Sequence, residues 1–254
     1  NYNDIMLINF IYNNKTGSDN MLYSVDKTIF EFNPDLLFGI LIGKGLKNSE
    51  TLEEDKIRLR KAEKKMREKY IVEQVRELPN VVQYREIMLK SGINPNKFPP
   101  SVEAMFKRIL KGGQLPFINA LVDLCNAVSI ERIISLGAHD LKDIHDDLEV
   151  RISKEGDKFL PFGASEYEWV DEGEIVFTSG NFVQTRKWIW RQSELGKTTT
   201  DSENIFFQLV GFKDNEEPLY GAMEDIEEII TNRFNGMCSK HIVSINNNSI
   251  HISY

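Results

Sequence analysis

The chain has few of the residues that build disulfide frameworks or metal sites. It contains two cysteines, Cys125 and Cys238, far apart in the sequence, and only four histidines. This spacing fits neither a zinc site nor a thiol redox motif, and unpaired thiols are typical of a reducing compartment. We therefore expect a cytoplasmic protein without a metal ion or other cofactor.

Long apolar runs and the common catalytic motifs are also missing. No apolar run reaches the roughly 18 residues of a transmembrane helix, so we expect no membrane association. Gly43-Lys44-Gly45 lacks the rest of a phosphate-binding loop, and there is no GxGxxG, HExxH or GxSxG. These absences argue against nucleotide-binding, zinc-protease and α/β-hydrolase activity.

The overall charge is negative, with 31 Lys and Arg against 39 Asp and Glu in 254 residues, a formal net charge of −8. Non-specific nucleic-acid affinity comes from Lys and Arg at phosphates, so a nucleic acid would have to meet a local basic patch. Hydrophobic residues make up 41% of the chain and charged residues 28%, as in ordinary globular proteins.

The order of predicted elements indicates an α+β fold. The following are predicted as strands: Thr28–Phe32, Leu37–Leu41, Ile133–Leu136, Leu148–Ser153, Glu174–Thr178, Phe182–Trp190 and Ile205–Val210. The following are predicted as helices: Thr51–Leu78, Pro79–Lys90, Val102–Leu110, Ile118–Ile130 and Pro218–Asn232. Lys240–Ile245 and Ser249–Ser253 are predicted to form a terminal hairpin.

This pattern predicts that the chain is divided into four segments. Residues 1–20 are either an extension before a natural start at Met21 or an extra strand over Ile5–Ile11. Residues 21–96 are predicted as an N-terminal α/β segment packed on a main domain over 97–236, and residues 237–254 as the hairpin.

One group of polar residues is spaced along a predicted helix. Asn119, Asp123 and Asn126 are four and three residues apart and share one helical face among apolar neighbours. Buried polar groups must be hydrogen-bonded, so these residues are either the floor of a polar pocket or a structural network.

A histidine follows a predicted strand, in the sequence Gly137-Ala138-His139-Asp140. In a glycine-containing turn, His139 could act as a general base oriented by Asp140. The alternative is a buried, structurally satisfied imidazole.

A basic, aromatic segment begins at Arg186. If it is a strand, alternation places Arg186, Trp188 and Trp190 on one face and Lys187, Ile189 and Arg191 on the other. Cations interleaved with indoles suit stacking and phosphate contacts with single-stranded nucleic acid. The alternative is core packing of the indoles with a rim of surface cations.

Residues 97–212 resemble the B3/4 domain, the editing module of the bacterial phenylalanyl-tRNA synthetase β chain. The resemblance rests on the segments Pro116–Asn126, Gly137–Leu141, Trp188–Ser193 and Thr200–Asn204. It implies a B3/4-type mixed or antiparallel sheet flanked by helices and preceded by a helical N-terminal segment. In the synthetase this module hydrolyses mischarged aminoacyl-tRNA, and the resemblance implies either the same activity in trans or non-catalytic binding.

The resemblance also implies roles for individual residues. Its catalytic set is Asn119, Gly137, Ala138 and His139, with backbone N–H groups or Asn119 holding an oxyanion. Its substrate-binding set is Asp123, Asn126, Trp188, Trp190, Arg191, Gln192, Ser193 and Glu194, with Asp123 or Glu194 holding an α-ammonium group. Its RNA-binding set is Arg186, Lys187, Lys197 and Thr198. The expected partners are tRNA or aminoacyl-tRNA and an amino-acid-like small ligand.

The sequence departs from the family at the reactive centre. Gly137 stands where the synthetase has its editing histidine, and Lys197 lies near the position of its acidic pocket residue. The tRNA's terminal hydroxyl would then have to replace the missing base. A shared site predicts that Asn119, Asp123, Trp190 and Arg191 line one cavity.

Overall fold

The computed structural model describes residues 20–254, so the expectations for the first nineteen residues lie outside it. The helices are α1 (Lys27–Phe32), α2 (Glu53–Lys69), α3 (Pro79–Lys90), α4 (Ser101–Leu110), α5 (Ala120–Arg132) and α6 (Glu217–Glu228). Three short turns of other helix types cover Val72–Glu77, Leu141–Asp143 and Ile229–Arg233. The strands are β1 (Asn20–Val25), β2 (Leu36–Lys44), β3 (Ser135–Asp140), β4 (Leu148–Ile152), β5 (Lys158–Phe159), β6 (Glu168–Trp169), β7 (Ile175–Ser179), β8 (Phe182–Arg186), β9 (Arg191–Gln192), β10 (Ile205–Phe212), β11 (Met237–Val243) and β12 (Ser249–Ser253).

The strands form two sheets. The first is mixed, with the order β12-β1-β4-β7-β8-β5-β6 and with β9 paired to β8. The second is antiparallel, with the order β11-β2-β10-β3. Helices flank these sheets, which confirms the predicted α+β class with mixed and antiparallel sheets.

The two central strands of the antiparallel sheet, β2 and β10, are buried on both faces, which explains why they are apolar over almost their whole length. One face packs against the mixed sheet, where the rings of Phe177 and Phe206 stack with centroids 5.5 Å apart. The other face packs against α5 and α6 around Phe207 and Leu209. Within residues 20–254 no helix is long and apolar enough to cross a membrane.

Helix α3 has the bounds that its sequence predicts. Pro79 occupies the first helical position, where its missing N–H costs nothing, and Ser91-Gly92 ends the helix with Gly92 at a φ of 82°. The long predicted helix over Thr51–Leu78 instead ends at Lys69, and a separate short 3-10 helix follows it.

One strand prediction and one pairing prediction at the ends of the described chain were wrong. Thr28–Phe32 lies in helix α1 because the Asp26 carboxylate caps it, accepting a hydrogen bond from the Thr28 N–H at 2.9 Å. The terminal strands form no hairpin with each other. β11 pairs with β2 and β12 pairs with β1, so they belong to different sheets.

The predicted strand Phe182–Trp190 was also wrong in its second half. β8 ends at Arg186, and Lys187 and Trp188 have positive φ values of 48° and 67°. The chain therefore turns before re-entering the sheet as β9, and the expected alternation of Arg186, Trp188 and Trp190 does not occur. We call residues 187–190 the cavity turn, because it covers the cavity described next.

Candidate functional site

A cavity of about 210 Å³ lies where the two sheets and two helices meet. Its lining residues are Ser101, Asn126, Ser135, Leu136, Gly137, His139, Thr185, Trp188, Ile189, Trp190, Arg191, Gln192, Gln208 and Val210. Strands β3 and β10 supply one wall, the cavity turn and β9 supply the opposite wall, and α4 and α5 supply one residue each. It is smaller than the pockets of about 300–1000 Å³ that hold drug-sized ligands.

Buried Glu174 anchors the cavity turn. Its carboxylate accepts hydrogen bonds from the Arg186 Nε and Nη2 atoms, both at 3.0 Å, and from the Lys187 ammonium. Burial alone would raise the pKa of Glu174, but these hydrogen bonds and the positive charges hold it below its usual value. Two predicted RNA contacts are therefore internal ion pairs that hold the turn in place.

The two tryptophans of this segment have different environments. Trp188 is 1% exposed and lies edge-to-face with Tyr84 at 5.9 Å, so it is a core residue and not a stacking surface for RNA. Trp190 is half-buried and lies edge-to-face with Phe98 at 4.8 Å. Both side chains line the cavity.

Most polar side chains of the cavity have no partner within the part of the chain that the structure describes. The side chains of Asn126, Ser135 and Thr185, the Gln208 amide nitrogen and the Trp188 indole nitrogen lack hydrogen-bond partners among residues 20–254. Buried polar groups are normally satisfied, so unpaired groups around a cavity suit a polar ligand or water.

His139 is not arranged as a general base. It lies in strand β3, not in a turn, and it is 2% exposed with its ring edge-to-face with Phe177 at 5.0 Å. The Asp140 carboxylate does not orient it, because that carboxylate accepts hydrogen bonds from the Ser202 hydroxyl and the Lys142 N–H. Burial lowers the pKa of His139 to about 3, so the imidazole is neutral at pH 7.

The backbone N–H of Gly137 is not free to hold an oxyanion. The Asp140 N–H points away from β10 and donates to the Gly196 carbonyl at 2.8 Å. Strand alternation then directs the N–H of Gly137 toward its register partner Gln208 in β10. Gly137 contributes space instead, because a Cβ atom there would lie 3.3 Å from the His139 Nε2 atom.

Asn119 and Asp123 do not line the cavity, so the expected four-residue lining is wrong for these two. Asn119 caps α5: its Oδ1 atom accepts from the Val122 N–H at 3.1 Å, and its Nδ2 atom donates to the Thr198 carbonyl at 3.2 Å. Asp123 is fully buried and accepts from the Thr51 hydroxyl at 2.6 Å. Both are structural links between α5 and neighbouring loops.

Other predicted contacts are also used within the protein. The Ser193 hydroxyl donates to the Leu160 carbonyl at 3.0 Å, and Thr198 is 6% exposed. Glu194 accepts from the Lys197 ammonium at 3.0 Å, and this hydrogen bond lowers the pKa of Glu194. The Ala138 carbonyl accepts from the Gln192 amide at 3.0 Å, which places Gln192 at the cavity wall.

Sequence reasoning missed Ser101, Ser135, Thr185 and Gln208, which also line the cavity. Gln208 could have been found, because it is a single amide inside the apolar strand Ile205–Phe212. Its Oε1 atom accepts from the buried Tyr23 hydroxyl at 2.8 Å. The others have no distinguishing pattern in the sequence. No group of three or more His, Cys, Asp or Glu residues in the described chain is placed to hold a metal ion.

The comparisons with known proteins show the family of the chain. The family model of the B3/4 domain matches residues 83–225, so the chain belongs to the B3/4 domain family. A phenylalanine–tRNA ligase beta subunit from Nitrobacter winogradskyi is 33% identical over 104 residues, which cover 40% of this chain and 13% of the ligase subunit.

Among solved structures, the chain is similar to an N-terminal fragment of the phenylalanyl-tRNA synthetase beta subunit from Pyrococcus horikoshii. The identity is 13% and the TM-score 0.43, over 90% of this chain and 55% of that one. The chain thus spans about an eighth of the length of the curated relative and about half of the solved fragment.

The contrast between Asn119 and Asn126 gives a first prediction. We expect Asn119→Ala to lower the free energy of unfolding by about 1–2 kcal/mol, because it removes a helix cap and leaves buried groups unpaired. Asn126→Ala removes no hydrogen bond within the described chain, so its effect should stay within about 0.5 kcal/mol. Urea unfolding of both variants measures this, and equal losses would contradict the assignment.

The buried imidazole gives a second prediction. Between pH 6.5 and 3 the unfolded chain holds a proton on His139 that the folded protein lacks, so its contribution to stability falls as the pH falls. The difference in unfolding free energy between wild type and His139→Gln should shrink by about 2 kcal/mol from pH 7 to pH 5. Urea titrations at both pH values measure it, and an unchanged difference would show that folding does not shift the pKa of His139.

Proposed function

We propose that the chain is a binding module of the B3/4 family whose cavity takes a small polar ligand. The observation that supports this is the set of polar side chains around the cavity without a partner among residues 20–254, which include those of Asn126, Ser135 and Thr185 and the Gln208 amide nitrogen. A ligand that satisfies these groups recovers hydrogen bonds that the protein alone leaves unmade.

Catalysis is not needed to explain this site. Among residues 20–254, neutral His139 has no carboxylate partner and no nucleophile in a hydrogen-bonded pair with it. Both cysteines are free, and burial raises the pKa of the Cys125 thiol to about 12, so it is a poor nucleophile. Free thiols also suit the cytoplasmic location that the composition predicts.

Binding can be tested by calorimetry with small polar acids, amides and amines. Gly137→Val places a side chain against His139 and should abolish binding, whereas Lys197→Gln, which changes an exposed residue outside the cavity, should leave binding unchanged. Melting temperatures of both variants serve as folding controls. Binding that survives Gly137→Val would place the ligand elsewhere and contradict the proposal.

A second candidate is trans-acting hydrolysis of mischarged aminoacyl-tRNA. Family membership and the partial match to a phenylalanine–tRNA ligase beta subunit favour it. Arg186, Lys187 and Lys197 form ion pairs with carboxylates. Within the described chain, Arg191 is the one cation of that basic segment without such a partner, so it is free to contact the acceptor end of a tRNA.

A deacylation assay over a panel of mischarged tRNAs distinguishes the two candidates. Cleavage above the buffer control that Gly137→Val abolishes would establish the hydrolase. The binding module predicts that no member of the panel is cleaved faster than the control.

A further inference from the structure

The cavity has an uneven supply of hydrogen-bonding groups. Its lining includes three residues whose side chains can only donate, Trp188, Trp190 and Arg191. It includes no side chain that can only accept, because no Asp or Glu of residues 20–254 lines it. The remaining polar side chains can adapt to either role.

Trp188 and His139 are buried residues of the cavity lining. The indole nitrogen of Trp188 has no partner within the described residues, but it is enclosed by the protein and not open to the cavity. The His139 Nδ1 atom lies 3.4 Å from the Gln192 amide nitrogen, which can only donate. In that contact Nδ1 is the acceptor, so the neutral imidazole carries its proton on Nε2, next to Gly137.

Arg191 supplies a positive charge at the mouth. It is exposed and lies 6.0 Å from the Trp190 ring, and no carboxylate of the described chain forms an ion pair with it. The neighbouring cations differ, because Arg186 and Lys187 share Glu174 and Lys197 pairs with Glu194. The field at the mouth therefore favours an anion.

We infer that the cavity selects a small carboxylate, bound through its anionic oxygens by Arg191, and that it rejects amines. This inference rests on the proposed binding function and names its ligand class. An ammonium group finds no carboxylate in the cavity to replace its water, so its desolvation is uncompensated. Asp123 and Glu194, which the sequence predicts as partners of an α-ammonium group, do not line this cavity.

The test uses two scaffolds, each as carboxylate, amide and amine. The first series is butyrate, butyramide and butylamine, and the second is 3-phenylpropionate, 3-phenylpropanamide and 3-phenylpropylamine. Calorimetry on the full chain measures their affinities for wild type, Arg191→Gln and Lys197→Gln. Both substitutions change exposed cations, but only Arg191 lines the cavity.

In at least one scaffold the carboxylate should bind at least about tenfold more tightly than the amide and the amine. Arg191→Gln should weaken the carboxylate by about 10- to 100-fold, as expected for loss of a charged hydrogen bond, and the amide by less than about twofold. Lys197→Gln should change neither. A preference for the amine, or an equal loss for carboxylate and amide in Arg191→Gln, overturns the inference but leaves the cavity as a binding site. Absence of binding by all six probes at about 10 mM contradicts both the inference and the proposed function.

Discussion

Glu174→Ala is expected to lower the free energy of unfolding by about 3–5 kcal/mol, the usual cost of removing one partner from a buried ion pair. Glu174 is 6% exposed, and its loss leaves the Arg186 guanidinium and the Lys187 ammonium without their main partner. Because these bonds hold the cavity turn with its two positive φ values, the variant should also lose ligand binding.

Glu168→Ala is the matched control for this change. Glu168 lies 3.9 Å from the same arginine, but its side chain is 58% exposed, so its loss should cost no more than about 1 kcal/mol. Urea unfolding and calorimetry on both variants measure the effects. If Glu174→Ala costs no more than Glu168→Ala, the cavity turn does not depend on the Glu174 ion pairs.

Trp188→Ala is expected to have an effect of similar size, about 3–5 kcal/mol, because it leaves a large void in a packed core. The indole lies against Tyr84, whose hydroxyl bridges the Val210 carbonyl at 2.6 Å and the Ser135 N–H at 3.1 Å. Those bridged residues belong to β10 and β3, so the loss should loosen the inner wall of the cavity as well.

Comparison with Trp190→Ala distinguishes a core role of Trp188 from a role on the surface. Its half-buried ring packs on Phe98, and its loss should cost about 1–2 kcal/mol. Two tryptophans that served only as a stacking surface for RNA would give small and similar losses. Chemical denaturation followed by far-UV circular dichroism measures both, and equal losses would contradict the assignment of Trp188 to the core.

Local sequence patterns correctly predicted the elements whose ends are marked by residues that start or stop a helix or strand. Helix α3 begins at Pro79 and stops at Ser91-Gly92, and β10 is an apolar run too short for a helix. The elements that were predicted wrongly have structures that depend on residues remote in the sequence. The Trp- and Ile-rich segment after Arg186 has strand propensity, but Glu174, which directly precedes β7, holds it in a turn.

The sequence predicted only some of the cavity residues, because contacts remote in sequence also decide which side chains reach the cavity. Gly137, His139, Asn126 and the Trp188–Gln192 segment do line one cavity. Helical spacing placed Asn119 and Asp123 beside Asn126, but spacing cannot show that Asn48 and Thr51, from another part of the chain, already engage their side chains. The pairing of β11 and β12 with different sheets depends equally on contacts remote in sequence.

The indole N–H region of a ¹H–¹⁵N NMR spectrum tests the central claim most directly. The chain has three tryptophans: Trp188 and Trp190 line the cavity, and Trp169, 76% exposed on β6, lies outside it. Titration with the tightest of the six probes should shift the Trp188 and Trp190 indole signals saturably and leave that of Trp169 in place. A saturable shift of Trp169 with an unchanged Trp188 signal would contradict binding in the cavity.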